Sequence, residues 1–191
     1  MLSKIPGLVD AIRKVGFSID EIHFYSTVEE DKGSLGTSDH PRKSGEADGL
    51  GMMTIQRATL QYKLTEFAVN AGVQIYWGHN LVSLEQDGDS VTTTFENGAT
   101  DSFSFVLGCD GLHSQTRTCL FGGHPAEYSG LCCVSTAYET PTLSLSDDGP
   151  QWGGLSPVSN TFRDKHIGLD VYGNGAHMIV APVSDSRVMW A

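Results

Sequence analysis

The sequence predicts a mixed α/β fold, and three stretches carry the prediction. Between Phe17 and Tyr76 a strand pattern, a helix pattern and a second strand pattern alternate, as in α/β architectures. Three short strand patterns then follow, joined at Asp87-Gly88 and Asn97-Gly98; these pairs suit tight hairpin turns because both residues tolerate positive φ. Last comes the run Phe105-Val106-Leu107-Gly108-Cys109-Asp110-Gly111-Leu112-His113-Ser114-Gln115-Thr116-Arg117. It reads as a buried strand ending in an acid, a glycine and a capped helix start.

In chain order, Ile5, Leu8, Val9 and Ile12 recur at helical spacing with Gly16 as a stop, which predicts an amphipathic helix over residues 3–15. Residues 17–25 form a strand pattern. Residues 29–51 are rich in Gly, Ser, Asp and Pro, with charges of both signs and little apolar periodicity, and read as a loop. From Arg57 to Ala71 a helix places Leu60, Leu64, Phe67, Ala68 and Ala71 on one face, with Gly72 ending it. Val73 to Tyr76 resumes as a buried strand. Leu81–Glu85, Ser90–Phe95 and Thr100–Phe105 make the meander. Beyond His124 the texture changes: Leu131–Tyr138, His166–Tyr172, Ala176–Val180 and Arg187–Trp190 alternate with Gly, Pro, Asp and Asn turns, which predicts an antiparallel sheet.

Composition removes several functions. A chain of 191 residues with 39% hydrophobic content is globular material, able to bury on the order of 70% of its unfolded surface. A net charge of -11 with only 12 Lys and Arg argues against nucleic acid and anionic membrane surfaces, which need clustered cations to displace counterions. Cys109, Cys119, Cys132 and Cys133 lack C-x-x-C spacing and read as reduced structural thiols. Charges at Lys4, Asp10, Arg13 and Lys14 break any leader core, and no run of 18 apolar residues occurs, so a soluble, cytoplasmic protein is expected.

The chemistry concentrates in two places. Gly108 and Gly111 bring a ligand close to the backbone, Ser114 caps a helix whose free N–H groups suit a pyrophosphate, and Arg117 adds charge. Asp110 offers acceptors to sugar or ribityl hydroxyls rather than to phosphate. Arg57 stands at a helix start, an unfavourable place for a cation unless an anion compensates it; a bidentate fork onto a bound anion would supply that compensation, the alternative being a solvated first-turn side chain.

Together these stretches resemble the FAD-dependent aromatic hydroxylases, the group of para-hydroxybenzoate and salicylate hydroxylases and their fungal relatives. Residues 105–117 are similar to that family's Asp-Gly motif. Ile55-Gln56-Arg57-Ala58-Thr59-Leu60, followed by Leu64, is similar to its arginine-led helix, whose arginine contacts the flavin. The resemblance implies a partial FAD-binding three-layer domain with part of an antiparallel-sheet substrate domain. By the same resemblance, residues 1–17 belong to the FAD-binding domain, 18–51 to the substrate domain, 52–122 to the FAD-binding core and 123–191 to the substrate domain. It implies FAD, with NADH or NADPH as co-substrate, dioxygen and a small organic substrate in a hydroxylation or epoxidation. Its cofactor-binding residues would be Arg57, Val82, Asp110, Gly111 and Arg117, with Val82 contributing backbone groups near the adenine and no side chain acting as oxygen carrier.

The family's Gly-x-Gly-x-x-Gly unit and its later Gly-Asp motif do not occur in these residues. An internal portion of such an enzyme is therefore expected, with weak or absent FAD binding by the isolated chain; the alternative is a non-catalytic remnant. A third reading, a reductase using the Asp-Gly turn for NADPH alone, has no dinucleotide fingerprint in these residues to support it. His79, His124, His166 and His177 have no metal-ligand spacing. Ser114 beside His113 lacks the G-x-S-x-G elbow of a hydrolase. Trp152, Trp190, Tyr138 and Tyr172 line an aromatic substrate pocket or simply pack a core.

Overall fold

The computed structural model describes residues 2–49, 51–123, 126–139, 166–184 and 186–191. Trp152 and His124 lie outside them. The chain divides into two compact units, residues 1–72 with 133–191, and residues 73–132.

The first unit holds β1 (Phe17–Ile19), β2 (Glu21–Ser26), β3 (Gly33–Ser38) and β4 (Met52–Thr54), with β8 (Thr136–Glu139), β9 (Ile167–Gly173), β10 (Ala176–Ser184) and β11 (Arg187–Trp190). Six strands form one sheet in the order β3-β2-β9-β10-β11-β8, and β1 pairs with β4 in a two-stranded sheet. Every pairing is antiparallel except β2 with β9, so the predicted antiparallel sheet is present with one parallel seam. Alternation assigns the faces. Leu169, Val171 and Val180 point with Tyr25, Ile167 and Val188 into the main core, against Met178 and Trp190. On the opposite face Phe17, Ile19 and Ala181 pack with Ile22 and Met189. Thr54 ties the small sheet to β10 by donating its hydroxyl to the Phe17 and Pro182 carbonyls.

Several expected elements differ. The helix expected over 3–15 is a 3-10 turn at Leu2–Lys4 and a shorter α1 (Leu8–Arg13), separated by the Pro6-Gly7 break. Residues 17–25 are two strands in different sheets, because the chain turns at Asp20, whose amide donates to the His166 carbonyl at 2.7 Å. The expected loop 29–51 contains β3 and α2 (His40–Asp48). Here charge stands in for apolar periodicity: Arg42 pairs with Asp39 at 2.8 Å and Glu46 at 2.9 Å, and Lys43 with Asp39 at 3.0 Å, at spacings that face each other on a helix. As expected, α3 (Arg57–Asn70) forms, although none of its residues is fully buried.

The second unit is the predicted meander β5 (Leu81–Asp87), β6 (Ser90–Phe95) and β7 (Thr100–Phe103), followed by α4 (Gln115–Phe121). Gly88 and Gly98 have φ of 58° and 83°, as the hairpin turns require. The two buried strands expected at 73–76 and 105–107 do not form: neither has a strand partner among the described residues, and Phe105 and Leu107 are 79% and 80% exposed. Apolar runs of this kind become strands only when a neighbouring backbone pairs with them. All four cysteines are free, with Cys109, Cys132 and Cys133 exposed, so the reading of them as structural thiols fails for three. Cys132 and Cys133 precede β8 rather than lying in it.

Candidate functional site

The turn before α4 is built around Asp110. Its Oδ1 accepts from the Ser114 hydroxyl at 2.6 Å, and its Oδ2 accepts from the Thr116 amide at 2.9 Å and the Thr116 hydroxyl at 3.1 Å. The Ser114 hydroxyl in turn accepts from the Arg117 amide at 2.9 Å, which is the predicted N-cap. The Ser114 hydroxyl, followed by the Thr116 amide, holds the Asp110 carboxyl well below the usual carboxylate range, because every bond favours the charged form.

This corrects how the helix start works. The amides of Thr116 and Arg117 are already taken by Asp110 and Ser114, so α4 does not present an open row of N–H groups. The free row lies one step earlier: among the described residues, the amides of Gly111, Leu112 and His113 have no hydrogen-bond partner, and all three residues are exposed. Gly111 sits at φ 78° with open space where a Cβ would stand, a conformation that favours glycine. Gly108 serves packing instead, since a Cβ there would meet the Thr116 side chain at 2.6 Å. Thr116 was missed by sequence reasoning; the bare Gly108 eight residues earlier was the available signal. Arg117 donates to the Leu112 carbonyl at 2.6 Å and so braces the turn; it has no carboxylate partner among the described residues.

Asp110 opens onto a recess of about 550 Å³ within the second unit, lined by His79, Phe95, Phe103, Leu107 and His113 among others. A carboxylate has about four acceptor positions, and three are filled here. Val82 lies where the β5–β6 register shifts, and its carbonyl accepts from the Gln115 side chain at 3.1 Å. In the first unit, Arg57 is the exposed first residue of α3, which has no acidic residue in its first turn and no side-chain cap. The Arg57 side chain has no partner among the described residues. Its charge therefore stands uncompensated at the positive end of a helix.

The histidines keep local roles. His166 stacks on Phe17 at 4.8 Å and bonds the Ser18 carbonyl at 2.9 Å, and His79 bonds the Trp77 carbonyl at 2.9 Å. Among the described residues no group of three or more His, Cys, Asp or Glu is placed to hold a metal.

Comparison with known proteins places the chain in a family. The chain is 41% identical over 82 residues to the chloroplastic zeaxanthin epoxidase of Solanum lycopersicum, covering 42% of this chain and 12% of that protein. It is 26% identical over 146 residues to a flavin-dependent monooxygenase from an unknown prokaryotic organism, covering 76% of this chain and 36% of that one. The chain thus spans a small part of the curated relatives it matches. Among solved structures, FqzB aligns with a TM-score of 0.71 at 17% identity, over 96% of this chain and 39% of its own. HpxO of Klebsiella pneumoniae, solved with FAD and uric acid, aligns at 0.66 and 18% identity, over 97% and 44%. These likenesses show a shared fold. A sequence profile described as "FAD binding domain" matches residues 4–159, and the chain belongs to that family.

Proposed function

We propose that this chain is the FAD-holding and substrate-facing portion of an NADH- or NADPH-dependent monooxygenase that hydroxylates or epoxidises a small organic molecule with dioxygen. The free amides of Gly111, Leu112 and His113 beside an ionised Asp110 carry the reading. Such a turn offers donors to an anionic or carbonyl oxygen and one remaining acceptor position to a hydroxyl, which matches a linker bearing both phosphate and ribityl groups. Arg57 supplies a guanidinium with no internal claim on it. In this reading Arg117 acts through the turn, by holding the Leu112 carbonyl, and Val82 contributes backbone. When bound, FAD supplies the electron and oxygen chemistry. The protein's own residues bind and orient it, and the six-stranded sheet screens the substrate from water.

The domain assignment, with 52–122 as cofactor core and 18–51 and 123–191 on the substrate side, belongs to the same proposal. So does a cytoplasmic location; no helix among the described residues is long and apolar enough to cross a membrane. Titration of the isotope-labelled chain with FAD tests the reading by amide shifts. Binding is expected to be weak, with shifts centred on residues 108–117 and the first turn of α3. Arg57→Ala and Asp110→Asn should each weaken it by roughly tenfold, the scale of one charge-assisted hydrogen bond. Shifts confined to other segments would exclude these residues from the cofactor site.

A further inference from the structure

Two hairpins carry the same tripeptide at their tips, Asn97-Gly98-Ala99 between β6 and β7 and Asn174-Gly175-Ala176 between β9 and β10. Identical local chemistry makes them a matched pair for one reaction, the attack of a glycine amide nitrogen on the carboxamide of the preceding asparagine, which the missing Cβ of glycine leaves sterically open. The folded chain treats the two tips differently. Asn97 Oδ1 accepts from the Ala99 amide at 3.0 Å, and the Gly98 amide donates to the Phe95 carbonyl at 2.9 Å. Both reacting groups are therefore held in the first turn.

At the second tip neither group is held. Asn174 and Gly175 are exposed, and among the described residues the Asn174 side chain and the Gly175 amide have no hydrogen-bond partner. Register pairs Gly173 with Ala176, which makes this a two-residue loop. Gly175 has φ 69°, but among the described residues His166 alone combines positive φ with a side chain, so Asn174 does not take the conformation of a primed turn, the type whose twist matches that of the flanking strands. Below the tip the chain is fixed, because the Thr27 amide and hydroxyl donate to the Tyr172 carbonyl at 2.8 Å and 3.2 Å. The freedom belongs to Asn174 and Gly175.

We propose that Asn174 is a self-acting modification site, which closes a cyclic imide with Gly175 and opens it to isoaspartate and aspartate. The Gly175 nitrogen loses its proton and bonds to Asn174 Cγ, the Cγ–Nδ2 bond breaks, and Nδ2 leaves as ammonia with that proton, carried by solvent. Water then opens the ring. Cleavage between the ring nitrogen and the Asn174 backbone carbonyl carbon leaves isoaspartate; cleavage between that nitrogen and Cγ leaves aspartate. No oxidation or reduction occurs and neither flavin nor substrate takes part, so the site stands independently of the monooxygenase reading. Either product places a new carboxylate on the tip. Isoaspartate also adds a methylene to the main chain between Gly173 and Ala176, the pair that closes the hairpin, with the Tyr172 and His177 rings, stacked at 4.8 Å, one step further along.

The test incubates the full 191-residue chain in warm, mildly alkaline buffer, with a parallel sample in urea, and follows both tips by peptide mass mapping. Conversion raises the peptide mass by a single dalton, and a protease that cuts before aspartate but not before isoaspartate separates the two products. In the folded chain Asn174 should convert faster than Asn97 by roughly tenfold or more, the factor that two ordinary hydrogen bonds impose. In urea the two identical tripeptides should convert at similar rates, which assigns the difference to the fold. Asn174→Gln, whose longer side chain closes the ring far less readily, should lose conversion at the β9–β10 tip and leave Asn97 as before. If that variant fails to fold by circular dichroism, the wild-type comparison between buffer and urea decides. Comparable conversion of the two tips in the folded chain, faster conversion of Asn97, or an unchanged Asn174 over a time in which the urea sample converts would overturn the proposal.

Discussion

At the scale of single residues, Thr116 links packing to chemistry. Its side chain fills the hollow left by Gly108, and its amide and hydroxyl both bond Asp110. A methyl at position 108 must push Thr116 away, so Gly108→Ala should destabilise the second unit by about 1–3 kcal/mol, the usual cost of overpacking. In a double-mutant cycle with Asp110→Asn the two losses should add to less than their sum, because both break the same cluster; additive losses in urea unfolding would contradict the link. Ser114→Ala should cost about 1 kcal/mol as a lost cap. The sign of the pH dependence follows from Asp110, whose carboxyl is held below its ordinary range in the folded chain. Its stabilisation is complete above the ordinary carboxylate range, falls progressively below that range where only the unfolded chain takes up the proton, and is gone once strongly acid pH protonates the folded carboxyl. Asp110→Asn should flatten that acid limb of the melting curve. Much of this site was legible: Asp110, Gly111 and Ser114 stand out because acid, glycine and cap occur in a fixed order. The inward use of the carboxylate was not, since sequence lists an acceptor without saying which donors reach it first.

At the scale of elements, turn chemistry and apolar alternation read correctly, and the errors share a cause. The hairpins at Gly88 and Gly98 and the strands β9 to β11 were legible because local backbone preference and face alternation agree there. By contrast, α2 has the composition of a loop, because its helix is held by Arg42, Asp39, Lys43 and Glu46 rather than by an apolar stripe. Exposed pairs of this kind are screened by salt. Amide exchange across residues 40–48 should therefore accelerate in high salt and in Arg42→Ala, while exchange in the β9–β10 core stays unchanged. The opposite error occurred at 73–76 and 105–107, where apolar content suggested burial but no backbone pairs with the segment. Their amides should exchange at rates close to those of an open chain, and protection there as strong as in β6 would contradict the absence of pairing.

At the scale of the whole chain, the family assignment rests on the match over residues 4–159, and it agrees with the two motifs that sequence reading set in order, the arginine-led helix and the Asp-Gly turn. Against a net charge of -11, the exposed guanidinium of Arg57 stands out. What the sequence could not convey is the division into units: Arg57 falls in the first and Asp110 in the second, because contacts between distant segments, not local pattern, decide compactness. The central proposal is that the turn at Asp110 holds the cofactor within the second unit. The most direct measurement is the FAD titration of the labelled chain, followed at the Gly111, Leu112 and His113 amides. The account predicts that these amides move along one saturation curve and that Asp110→Asn weakens it by roughly tenfold. Amides that do not respond while FAD binds elsewhere in the chain would contradict it.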